Sequence, residues 1–69
     1  MNRIKEILQE KGIKQTWLAE RLGKSYNMVN SYVRNVRQPS LSDLYTISEI
    51  LDVDVRLLLK PTLEHEETN

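Results

Sequence analysis

The sequence predicts an all-α fold of five short helices, and three observations carry that reading. Apolar residues recur at helical spacing along the whole chain, with no strand-like alternation and no internal repeat. Gly12, Gly23, Asn35, Pro39 and Pro61 punctuate the helical stretches. The chain has 69 residues, enough for one small core, and a chain of that size buries only about 60% of the surface it exposes unfolded. Such small domains lean on disulfides, metals, oligomers or tight helix packing, and the absence of cysteine removes the first.

Each element has its own signal. Asn2 is a good N-cap for a first helix over about residues 3–11, in which Ile4, Ile7 and Leu8 share a face and which Gly12 ends. Ile13 plugs the first connection into the core. A second helix, about residues 15–22, places Leu18, Ala19 and Leu22 on one stripe before Gly23. Its cap is weak, since Lys14 stands where Ser, Thr or Asp would serve best. Ser25 is the N-cap candidate of a third helix, about residues 26–34. Val29 and Tyr32 face inward there, with Val33 at the edge of the stripe, and Tyr26, Asn27, Asn30 and Ser31 face away. Asn35 can take the left-handed conformation that ends a helix.

Ser40-Leu41-Ser42-Asp43 resembles a capping box with Asp in place of Glu. It opens a fourth helix with Leu44, Ile47 and Leu51 on one face. Asp54 caps a short fifth helix from Val55 to about Leu59, which Pro61 closes. Leu18, Leu22, Val29, Leu44, Ile47 and Leu51 are expected to be largely buried. Residues 1–60 form the domain and residues 61–69 an acidic tail expected to fray.

Composition excludes several function classes. Without cysteine, and with His65 as the single histidine, neither a thiolate nor an imidazole metal site is expected, nor a His-based catalytic pair. No nucleophile–base pair or Gly-rich phosphate loop is present, so no catalytic residue, no cofactor and no small-molecule site is expected. No unbroken apolar run, Leu57–Leu59 included, exceeds three residues, far short of a membrane span, and the N-terminus lacks the apolar run of a signal peptide. An intracellular, soluble chain is expected.

The formal net charge is zero, which by itself argues against a nucleic-acid partner. Its distribution reverses that impression. Residues 1–37 carry eight basic against three acidic side chains, net +5, and residues 38–69 two basic against seven acidic, net −5. Folded onto opposite sides, one half would attract a polyanion and the other repel it.

The second and third helices, joined by a short turn at Gly23, have the outline of a helix-turn-helix. Ala19 is small where the two helices cross, and Leu18, Leu22, Val29 and Tyr32 lock the pair to the rest. The segment Gln15-Thr-Trp-Leu-Ala-Glu-Arg-Leu-Gly23 resembles the Q-x-x-L-A-x-x-L-G opening of the XRE-like family, the Cro and phage-repressor type. Downstream, Arg37-Gln-Pro-Ser-Leu41, Leu44, Ile47, Leu51, Val53 and Leu58-Leu59 are similar to that family's R-x-P-S-L…L…I…L-x-V…L-L ending. The two motifs lie in register, and the match covers nearly all of residues 3–59 without a gap.

The resemblance implies a lambda-repressor-like fold and a cytoplasmic, bacterial or phage-encoded regulator of transcription, most simply a repressor. Its partner would be double-stranded DNA, bound as a homodimer on a palindromic operator with half-sites one helical turn apart. By the same resemblance, Gln15 binds a phosphate at the rim of the groove together with the helix N-terminus. Tyr26, Asn27, Asn30 and Ser31 occupy the positions that reach base edges, and Asn suits adenine bidentately. Arg34 and Arg37 are phosphate binders where the chain leaves the recognition helix, and Lys24 is a further backbone candidate.

The bland reading of Asn27, Asn30 and Ser31 is solvated helix surface, but three indifferent helix formers in one short stretch are costly without a purpose. Tyr26 could simply cover the start of its helix. Met28, beside the reading face, could touch a thymine methyl but is better read as a partly buried filler. Trp17 and Leu57 depart from the family pattern, which is usually polar at both places. Trp17 is expected to lie flat over its helix neighbours. Val55, Leu57 and Leu59 exceed what one buried face can hold and read as a dimer surface. The competing reading is a protein-binding module, an antitoxin or adaptor with little DNA affinity, which the uncharged Asn-Asn-Ser face would suit. Lys24, Arg34 and Arg37 around that face favour DNA.

Overall fold

The structure, a computed structural model, describes residues 1–59. Its elements follow in the order α1 (Ile4–Lys11), α2 (Gln15–Leu22), α3 (Tyr26–Val33), α4 (Leu41–Leu51) and a 3-10 turn (Val55–Leu58). The expected fifth α-helix is therefore corrected to a 3-10 turn. The Leu58 carbonyl accepts from the Arg3 N–H at 2.8 Å instead of continuing a helix. Leu59 leaves in an extended conformation and forms an isolated antiparallel bridge with Asn2. The expected tail over 61–69, the Pro61 stop and His65 lie outside the described residues.

The ends of the helices follow from local chemistry. Arg3, not Asn2, occupies the N-cap of α1, and its side chain makes no capping bond. Asn2 still serves the first turn from one residue upstream, its Oδ1 accepting from the Ile4 N–H at 3.0 Å. The weak cap expected for α2 is present, with Lys14 making no side-chain bond. Ser25 caps α3 by accepting from the Met28 N–H, and Ser40 caps α4 by accepting from the Asp43 N–H, both at 3.1 Å. Helix α3 stops at Val33, one residue early, and Asn35 follows at φ 61°. Of the expected capping box only the Ser40 half forms, because the Asp43 carboxylate faces Lys24.

Helix α2 packs on α3 and α4, α4 on the 3-10 turn, and α1 on α3. Each element contributes one side chain with no exposed surface: Ile4, Leu18, Val29, Ile47 and Leu58. Leu44 and Leu51 are buried as expected. Leu22 corrects the expected core. As the last residue of α2 it lies at the rim and is only partly buried. Among the described residues, no helix is long and apolar enough to cross a membrane, and no group of three His, Cys, Asp or Glu could hold a metal.

Candidate functional site

The turn between α2 and α3 sets the site. Gly23 has φ 74°, a backbone conformation that side chains with a Cβ adopt only at a cost. It lets the Gly23 and Lys24 N–H groups both donate to the Ala19 carbonyl, at 2.9 and 3.1 Å. Ala19 is buried, its small side chain allowing the close crossing. Helix α3 thus starts at Tyr26 with one stripe locked inward by Val29, Tyr32 and Val33 and the opposite face open.

On that open face Tyr26 and Asn27 are exposed. Asn30 and Ser31 are half-buried, and both are engaged within the fold. The Asn30 Nδ2 donates to Gln15 Oε1 at 2.9 Å, tying the start of α2 to the middle of α3. Its carbonyl is thus occupied, while no bond among the described residues uses the Gln15 amide N–H groups. The Ser31 hydroxyl donates to the Met28 carbonyl at 2.6 Å, so only its lone pairs remain for another partner.

The cations differ in availability. Arg34 and Arg37 are exposed, and no carboxylate among the described residues lies within ion-pair distance of either. Lys24 instead faces Asp43, with Nζ 3.5 Å from Oδ2, and is partly neutralised. An open cleft of about 480 Å³ lies where α1 ends and α2 begins, with Lys5, Lys14 and Gln15 on its wall and Tyr26 at its side. Trp17 lies on the outside of α2 with the Arg21 guanidinium 4.8 Å from its ring centroid, a cation–π contact between neighbours on one helix face.

Sequence reasoning missed the group that holds the exit of α3. Asn2 is 1% exposed, and its Nδ2 donates to the Tyr32 carbonyl and to Gln38 Oε1, both at 2.9 Å. Its backbone N–H donates to Asn35 Oδ1 at 2.8 Å, and Asn35 Nδ2 returns a bond to the Asn2 carbonyl. Asn35 therefore does more than take a left-handed turn. The clasp fixes the segment that carries Arg34 and Arg37, between the end of α3 and Gln38. An Asn at position 2 reads locally only as a helix cap, and nothing in the sequence pairs it with residues 30 or more positions away.

The expected dimer surface divides. Leu57 is 50% and Leu59 43% exposed, whereas Val55 packs partly against the core. Between them Arg56 Nε and Nη2 donate to Asp54 Oδ1 and Oδ2, at 3.0 and 2.8 Å. Those side-chain bonds, with the Arg56 backbone N–H, hold the Asp54 carboxyl below its ordinary range, at about 2. Leu41 and Tyr45, one turn apart on the outside of α4, are further exposed apolar residues that sequence reasoning passed over. Their signal was available, since both lie off the stripe of Leu44, Ile47 and Leu51.

The sequence pattern of the helix-turn-helix family matches residues 4–58. The chain is 38% identical over 65 residues to the HTH-type transcriptional regulator SinR of Bacillus subtilis, covering 93% of this chain. It spans 59% of that relative's length. A crystal structure from Bacteroides fragilis superposes with a TM-score of 0.83 at 46% identity, over 84% of this chain and 94% of the other. The crystal structure of SinR, described as the master regulator for biofilm formation, in complex with DNA superposes with a TM-score of 0.69 at 38% identity. It covers 78% of this chain and 87% of that one.

Proposed function

Because the chain belongs to the XRE-type helix-turn-helix family, we propose that it is a sequence-specific DNA-binding regulator of transcription, acting in the cytoplasm as a repressor. Helix α3 enters the major groove, and two copies bind a palindromic operator. One observation carries this reading: Tyr26 and Asn27 are exposed at one end of the site, and at the other Arg34 and Arg37 are exposed with no carboxylate partner among the described residues. A base-reading surface needs groups that are not already bonded, and a phosphate grip needs cations that are not already paired.

Each group has its task. Gln15 donates its amide N–H to a phosphate, beside the N-terminus of α2. Arg34 and Arg37 displace condensed counterions from the backbone. Asn27 suits the N6 and N7 edge of adenine, and Tyr26 touches the neighbouring base or phosphate. Asn30 and Ser31 contribute through the acceptor atoms their internal bonds leave open. Lys24 joins the backbone grip by exchanging Asp43 for a phosphate. Leu57 and Leu59, flanked by Val55, pack on a second copy and set the two recognition helices about 34 Å apart, one turn of DNA.

Selection of bound duplexes from a random pool tests this directly. Recovery of a palindrome with two half-sites a helical turn apart is the expected result. A pool that returns no enriched sequence overturns the reading in favour of a protein-binding module.

A further inference from the structure

A notch of about 270 Å³ opens on the outer face of α3, walled by Ser25, Asn27, Met28, Ser31, Val36 and Arg37. The chain builds it by folding back after α3. The backbone N–H groups of Val36 and Arg37 both donate to the Ser31 carbonyl, at 3.0 and 3.2 Å, which brings Val36 to the same recess as Met28. Two of the polar groups around the recess are already engaged. The Ser31 hydroxyl proton goes to the Met28 carbonyl, and Arg37 Nη1 sits 3.8 Å from Met28 Sδ. Val36 is 69% exposed, an apolar side chain in a turn with no core to fill. The result is an apolar recess within a polar face, with a cation at its rim.

Duplex DNA presents one apolar group in the major groove, the C5-methyl of thymine. We propose that this notch receives a thymine methyl, which makes Met28 and Val36 specificity-determining residues. The proposal rests on the DNA-binding reading above. The surroundings fix the occupant. Arg37 at the rim and Arg34 nearby attract a polyanion, and Asn27 on the wall can bond an adenine at an adjacent position. Met28 and Val36 then read the methyl of one A·T pair while Asn27 reads the amino edge of another. Cytosine leaves the notch empty at C5, and a purine carries no methyl to fill it.

The test uses the full chain and the preferred duplex recovered from a random pool, with each thymine replaced in turn by deoxyuridine, which lacks only the methyl. One thymine per half-site should respond, with affinity falling about fourfold, the burial of one methyl. The Val36→Ser variant, altered at an exposed position, should keep its fold by circular dichroism and lose most of that response. Two results overturn the notch while leaving the DNA-binding reading intact: no thymine responds, or the response is undiminished in Val36→Ser. A parent chain with no preferred duplex overturns both.

Discussion

A neutral amide and a guanidinium do different work on a polyanion, and Asn27 and Arg37 separate the two. Arg37→Ala should weaken binding to every duplex and lower the slope of log affinity against log salt by about one unit, because one fewer counterion is released. Asn27→Ala should leave nonspecific binding and its salt slope almost unchanged. On the preferred duplex it should cost about 1–3 kcal/mol and relax choice at one base pair per half-site. Anisotropy titrations on preferred and scrambled duplexes at several salt concentrations read both. Equal weakening of both duplexes by Asn27→Ala would mean that this face of α3 does not read bases. Asn2 acts on the same loop from behind. Its amide is almost wholly buried between Tyr32 and Gln38, so Asn2→Ala leaves a buried carbonyl without its donor. That should cost about 1–3 kcal/mol in urea denaturation, and an unchanged midpoint would show the clasp to be idle.

At the scale of elements, the stripes that pack the helices were plain in the sequence because they obey one period. Leu18, Val29 and Ile47 come from three helices and meet with no exposed surface. Leu18→Ala should therefore cost about 2–5 kcal/mol, a large part of the stability of so small a domain. Denaturant unfolding checks it, and a cost well under 1 kcal/mol would contradict the packing. What the sequence could not convey were bonds across long separations. The Leu58 carbonyl turns to Arg3 and truncates the last helix, and Gln15 reaches across to Asn30, because partners brought together by packing leave no periodic trace. The candidate site was legible to the same extent: its residue types and order could be read, but not which of its polar groups the fold had already engaged. The Asp54 cap of the 3-10 turn carries a pH signature. Its carboxyl titrates lower in the folded chain, at about 2, than the unfolded value of about 3.9. Its contribution is thus complete above the unfolded value and is lost as pH falls toward 2. In an NMR titration, the Arg56 amide shift should follow that low value. A midpoint near 4 would show that the fork with Arg56 does not persist in solution.

For the whole molecule, zero net charge conceals a division between a basic first half and an acidic second half. Arg34 and Arg37, unpaired among the described residues, close the basic half, and the exposed Leu57 and Leu59 belong to the acidic one. A dimer through that apolar surface would hold the two α3 helices toward one duplex. Leu57→Glu should then weaken self-association and operator binding together, read by sedimentation and by DNA titration. If variant and parent are equally monomeric and bind alike, the outer face of α4, with Leu41 and Tyr45 exposed, is the next interface to test. If α3 reads sequence, the affinity ratio of the parent chain for preferred over scrambled duplex at fixed salt must show it. A preference of about a thousandfold or more is expected, with both affinities falling as salt rises. Equal affinity for the two duplexes at every salt concentration would contradict it.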